Sequence, residues 1–178
     1  MSYELSEFVI TKPFDVDSLC QQHKQAMIET FIENKINKKE GGGYNTLYDN
    51  REFTEEIRDK FLKVVHDTFD VGYSQSKIQT WIYCQNDKHS NNLWHTHVNT
   101  SSVNAVFYID PPDVGGGLQI EYCGVITTIP VKTNTLYLFP YWMAHRPVAQ
   151  VSPHWRISVN VEYKCRERPV VRQTRQIW

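Results

Sequence analysis

From Lys77 onward the chain breaks into short segments rich in β-branched and aromatic residues, each bounded by turn formers. Such segments are predicted strands, and seven of them fall at 77–84, 93–98, 102–110, 118–123, 125–131, 135–139 and 155–164. Turn signals occupy 85–92, 111–117, 124, 132–134 and 140–153. A run of short strands of this kind points to an antiparallel sandwich or double-sheet jelly roll.

The first part of the chain carries a different period. Asp15 and Ser18 precede a stripe of Leu19, Ala26, Met27 and Phe31, which predicts a helix opened by N-cap residue types and closed before Gly41-Gly42-Gly43. Phe53, Ile57, Phe61, Val64, Val65 and Phe69 recur every three to four residues, which predicts a second helix starting near Asn50 or Thr54 and stopping at Gly72. Helices on one face of an antiparallel sheet make the chain α+β: a double-stranded β-helix (jelly-roll) core with N-terminal helices packed on one sheet.

At 178 residues the chain suits a single domain. Residues 1–75 read as helical support, 77–164 as the jelly-roll core, and 165–178 as a basic, solvated tail carrying Arg166, Arg168, Arg172 and Arg175. A net charge of −1 excludes a chain-wide basic field and argues against a nucleic-acid partner. No apolar run approaches the ~18–20 residues a membrane helix needs, so no membrane partner is expected. The acidic start, Met1 to Phe8, has no signal-peptide character. Cys20, Cys84, Cys123 and Cys165 form no CxxC pair, so the chain is read as a cytoplasmic protein with reduced thiols.

Chemistry concentrates in the predicted strands. His95 and His97 are two apart on one of them, and strand side chains alternate faces, so both imidazoles point the same way. His145 follows Phe139-Pro140-Tyr141-Trp142, and Arg156 comes soon after. From Trp155 to Tyr163 the odd positions are apolar or aromatic and the even ones are Arg156, Ser158, Asn160 and Glu162. An arginine in mid-strand beside small hydrogen-bonding residues suits a polar pocket, where its guanidinium makes a two-point match to a carboxylate. Trp81, Tyr83, Trp94, Trp142 and Arg146 cluster around these residues; Trp81 and Trp155 are expected in the core and the others are candidates for a pocket wall. The glycine-rich stretch 41–49, with Tyr44 and Tyr48, is a candidate lid.

Taken in order, Trp94 to Asn99, Asn104 to Ile109, Leu138 to Pro147 and Arg156 to Asn160 resemble the iron(II)/2-oxoglutarate-dependent dioxygenases, in style closest to their prolyl-hydroxylase-like branch. The resemblance covers residues 77–164 and implies a jelly roll that holds Fe(II) near one open end. It implies His95 as first ligand and His145 as distal ligand, with 2-oxoglutarate chelating the iron and its far carboxylate held by Arg156, Ser158 and Tyr108. Oxygen (O2) would then oxidise a second substrate, most often by hydroxylation, with release of succinate and carbon dioxide. That substrate is a small molecule or a protein side chain.

The chain departs from the family at one position, where His97 stands in place of the usual acidic ligand. Three arrangements follow: His97 as a third imidazole ligand, a shifted register using His97 and Asn99, or an incomplete site finished by water or a distant carboxylate such as Glu121. Two other classes fit the same residues. One is a cupin-like three-histidine dioxygenase that needs no 2-oxoglutarate; the other is a non-catalytic jelly-roll binding module.

Overall fold

The structure, a computed structural model, describes residues 8–39, 45–71, 77–111 and 117–178. In chain order its elements are β1 (Ile10–Pro13), α1 (Asp17–Phe31), which runs on through a π-helical turn at Ile32–Asn37, β2 (Asn45–Thr46), α2 (Arg51–Thr68), β3 (Phe69–Asp70), β4 (Lys77–Gln85), β5 (Val103–Asp110), β6 (Leu118–Tyr122), β7 (Val125–Ile129), β8 (Thr135–Pro140), β9 (Ala144–Pro147), β10 (Arg156–Lys164) and β11 (Val170–Val171). Two antiparallel sheets make the jelly roll: a large one in the order β1-β8-β5-β10-β4-β2 and a small one in the order β7-β6-β9. Among the described residues no helix is long and apolar enough to cross a membrane.

Strict alternation divides the molecule into layers. On β10, Ile157, Val159, Val161 and Tyr163 join Ile82 and Cys84 of β4, Ala105 and Phe107 of β5, and Leu136 and Leu138 of β8 in one buried cluster with Met27, Phe31, Phe53, Ile57 and Phe61 of the helices. The intervening residues Val106, Tyr108, Tyr137 and Phe139 pack instead with Leu118 and Ile120 of the small sheet. The helices therefore cover the outer face of the large sheet. The space between the two sheets is left for the polar residues that alternate with that core.

The helices form for the reasons their spacing suggests, with one difference at the start of α1. Asn50 caps α2, its side-chain oxygen accepting the Phe53 N–H at 3.0 Å. Neither Asp15 nor Ser18 caps α1: its N-cap is Val16, which offers no side-chain hydrogen bond, and Asp17 in the first turn provides the favourable charge instead. Helix α2 ends at Thr68, because Phe69–Asp70 turns extended to pair with Val170–Val171.

That pairing corrects the expectation of a loose C-terminal tail. Trp178 is 2% exposed, its ring lies 4.8 Å from that of Phe69, and its backbone N–H donates to the Pro169 carbonyl at 2.9 Å. Arg172 and Arg175 both approach Asp70. The segment binds because two aromatic rings bury each other, a signal hidden behind four arginines. Trp178→Ala should cost about 3–5 kcal/mol of stability, measured as a shift in the urea midpoint; a cost below about 1 kcal/mol would mean that the docking does not hold in solution.

Two strand expectations also change. The predicted strand 93–98 reduces to a single bridge between His95 and His145. The predicted turn 140–153 contains β9, which pairs with β6 and bears His145. Pro140, Pro147 and Pro153 mask β9 in the sequence, since proline is a turn signal and ends strands. Burial pushes the thiols of Cys20 and Cys84 up to about 12, which makes them inert packing groups.

Candidate metal centre

His95 and His145 are brought together by their backbones. The His95 N–H donates to the His145 carbonyl at 3.1 Å and the His145 N–H returns the bond at 3.0 Å. Residues that exchange both bonds stand directly opposite each other, with side chains on the same face, and the two ring centres lie 4.3 Å apart. His97 is anchored separately, its N–H donating to the Tyr141 carbonyl at 2.9 Å, and its ring stacks at 5.1 Å from that of His145. The potential ligand atoms of all three imidazoles lie within 4.8 Å of one another. Nε2 of His97 is 3.3 Å from Nε2 of His145.

The hydrogen bonds decide which nitrogen of each ring is free. Nδ1 of His95 meets the Leu93 carbonyl at 3.0 Å, Nδ1 of His145 meets the Met143 carbonyl at 2.9 Å, and Nδ1 of His97 meets Oε1 of Glu162 at 2.7 Å. A carbonyl or an ionised carboxylate only accepts, so each Nδ1 carries the proton and each Nε2 turns its lone pair toward the cluster. Ligating histidines are held in this way, with one nitrogen donating to a protein oxygen while the other binds the metal. The residues present thus fit a divalent ion.

The electrostatics agree. Burial, followed by the neighbouring His95, pushes His145 down from 6.5 to about 3, and loss of surrounding water also lowers His95. His145 is therefore a neutral donor at any physiological pH. Above pH 6.5 it carries no second ring proton in either folded or unfolded chain; below that, the unfolded chain takes up a second proton that the folded one refuses until about 3. Stability must then fall as pH drops through that window. In metal-free protein the loss at pH 5 is about 2 kcal/mol. Urea midpoints of the wild type and of His145→Gln at pH 7 and pH 5 should show the pH-linked loss shrinking by that amount in the variant; equal losses would contradict the assignment.

Deeper in the same cavity lies a charge without a counter-ion. Arg156 is 2% exposed. It donates to Oε1 of Gln85 through Nη1 and to the Tyr108 hydroxyl through Nη2, the latter at 3.0 Å, and its guanidinium lies over the Tyr108 ring. Its Nε has no hydrogen-bond partner, and no carboxylate pairs with it among the described residues. A guanidinium does not lose its charge by deprotonation, so a buried one without an anion is an anion site. Ser158 and Asn160 follow it along β10 on the same face, and with His95, His97 and His145 they line one cavity of about 240 Å³. The rest of the wall includes Trp81, Tyr83, Val106, Leu118 and Phe139.

The structure thus brings His95, His97, His145, Arg156, Ser158 and Tyr108 around one cavity. Asn99 and Glu121 do not line the cavity of the imidazole cluster: Asn99 lines another one with Ser101 and Lys164, and the Glu121 carboxylate accepts the Gly124 N–H at 2.7 Å. Trp81 lines the cavity rather than the core. Trp94 carries Arg146 stacked on its ring at 4.6 Å, and Trp142 packs on Phe8 and Tyr122; neither Trp94, Arg146 nor Trp142 lines the cavity. Residues 41–44 of the lid candidate lie outside the described residues, while Tyr48 packs back on the helices, its hydroxyl 2.9 Å from Nδ1 of His23.

Two functional neighbours escape a reading of the sequence. Gln85 supports Arg156 because the register of β10 and β4 sets them opposite each other, and Glu162 reaches His97 because it continues the polar face of Arg156, Ser158 and Asn160 by one step. The second was visible in the alternation.

No protein-family model matches this sequence, and no curated protein matches it. Solved structures match it closely in shape. The viral collagen prolyl hydroxylase vCPH of Paramecium bursaria Chlorella virus-1 is 14% identical over 90% of each chain, with a TM-score of 0.60. The Pseudomonas putida prolyl-4-hydroxylase is 14% identical over 92% of this chain and 91% of its own, with a TM-score of 0.55. HygX of Streptomyces hygroscopicus, solved with nickel and 2-oxoglutarate bound, is 10% identical over 91% of this chain and 85% of its own, with a TM-score of 0.63. With its two-sheet barrel and its outer helices, this chain has the fold of these two prolyl hydroxylases and of HygX.

Proposed function

We propose that this protein is a non-haem iron(II) and 2-oxoglutarate-dependent dioxygenase that oxidises, by hydroxylation, a second substrate. The observation that carries this reading is a buried, uncompensated guanidinium in the same cavity as three converging imidazoles. A metal site alone would fit many activities. A metal site with a fixed cation deeper in the same pocket calls for a ligand that binds the metal at one end and offers a carboxylate at the other. HygX, of like fold, was solved with nickel and 2-oxoglutarate bound.

His95, His97 and His145 would hold the ion through Nε2, and three protein ligands would leave it open to co-substrate and oxygen. Bound iron would supply the oxygen chemistry, coupling decarboxylation of the keto acid to oxidation of the second substrate. Arg156 receives the far carboxylate, with the Tyr108 and Ser158 hydroxyls as further donors. Gln85 and Tyr108 hold the guanidinium in place before the ligand arrives, so little ordering cost remains to be met on binding. Val106, Leu118 and Phe139 keep that end of the cavity dry. His95 is exposed while His145 is buried, so the second substrate, a small molecule or a protein side chain, enters from the His95 side, beside the exposed Leu93.

Supplying iron(II), 2-oxoglutarate and oxygen should yield succinate even without the second substrate, through slow uncoupled turnover. Oxygen uptake that depends on iron but yields no succinate would instead favour a three-histidine dioxygenase without a keto-acid co-substrate.

A further inference from the structure

The cavity holds a second uncompensated charge, opposite in sign to Arg156. Glu162 lies on the central strand β10, its side chain 13% exposed, and His97 is its sole ion-pair partner among the described residues. Among the described residues no lysine or arginine pairs with it. Burying a carboxylate without a lysine or arginine paired to it is costly unless a cation is bound nearby. Its Oε1 accepts the His97 Nδ1–H at 2.7 Å, which puts the carboxylate behind a metal-facing imidazole. Across the ladder, Glu162 stands opposite Asn104 of β5. Asn104 is 3% exposed, and neither end of its amide has a hydrogen-bond partner among the described residues. Directly opposed residues on adjacent strands are within side-chain reach, so the unpartnered Asn104 amide is the polar group that stands across the ladder from the carboxylate.

Charge counting gives this arrangement a purpose. Two imidazoles and a carboxylate reduce a divalent ion to a net charge of +1, whereas three neutral imidazoles leave it at +2. Resting on the metal reading above, we infer that Glu162 is a positioning residue that supplies the missing negative charge from one bond further out. It fixes His97 as the Nδ1–H tautomer and makes its Nε2 a stronger donor. The carboxylate that a directly ligating aspartate would provide is thus moved behind the histidine that replaces it.

The test is a set of nickel(II) titrations against a chelating indicator, on the full chain under air, since nickel does not turn over. The wild type, Glu162→Gln, His97→Asp and the double variant are compared, with urea midpoints confirming that each is folded. Glu162→Gln keeps the shape of the side chain and removes its charge, and it should weaken nickel binding by about 10–100-fold. With His97→Asp the carboxylate returns to the metal itself, and adding Glu162→Gln to that variant should change affinity by less than about 3-fold. Unchanged affinity in Glu162→Gln, or an equal loss in both backgrounds, would overturn the inference while leaving the metal reading intact. A folded wild type that binds no nickel would overturn both.

Discussion

Arg156→Ala is expected to weaken 2-oxoglutarate binding by about 200- to 5,000-fold, the 3–5 kcal/mol that accompanies loss of one partner from a buried charge pair. The size of the effect follows from where the guanidinium sits. It is fully enclosed, already held by Gln85 and Tyr108, and its Nε lacks any protein acceptor. The binding energy of the far carboxylate is therefore realised in a low-dielectric site, with the donor oriented beforehand. Arg156→Lys should recover part of the loss, because it keeps the charge but not the two-point match. Titration of the nickel-loaded protein under conditions without turnover measures both. Unchanged affinity in Arg156→Ala would remove the residue from this role.

His145→Ala and His95→Ala should each lose divalent metal by more than the roughly 100-fold seen when an outer-shell partner is removed. The two rings contribute differently. His145 is buried and held neutral, so its lone pair is available without competition from protons. His95 sits at the exposed rim, and its place depends on the paired backbone bonds with His145. Elemental analysis after dialysis against excess metal and desalting reads the result. Full metal content in either variant would show that the ligand is elsewhere.

Much of the site was legible because strand geometry is periodic. The alternation from Trp155 to Tyr163 placed Arg156, Ser158 and Asn160 on one face, and the structure puts all three on the cavity wall, with the odd positions buried under the helices. His95 and His97 were correctly expected to face the same way, although the segment that bears them is a bridge and a turn rather than a strand. What was not legible depends on partners distant in sequence. Gln85 matters only because of its register against Arg156, and β9 is recognisable only by its pairing with β6. The C-terminal segment looked solvated from its arginines, and it docks because Trp178 finds Phe69. Glu162 was overlooked for another reason. The sequence points to the position of His97, or to a distant carboxylate such as Glu121, for the missing negative charge, whereas the fold delivers Glu162 from the strand that also carries Arg156.

The most direct test of the whole account is anaerobic addition of iron(II) and then 2-oxoglutarate to the metal-free protein, followed in the visible spectrum. A keto acid chelated to iron through its carboxylate and keto oxygen gives a weak metal-to-ligand charge-transfer band. The wild type should develop that band only when both components are present, His145→Ala should not develop it, and Arg156→Ala should need far more 2-oxoglutarate to reach it. A folded wild-type protein that binds iron yet shows no such band at saturating 2-oxoglutarate would contradict the account.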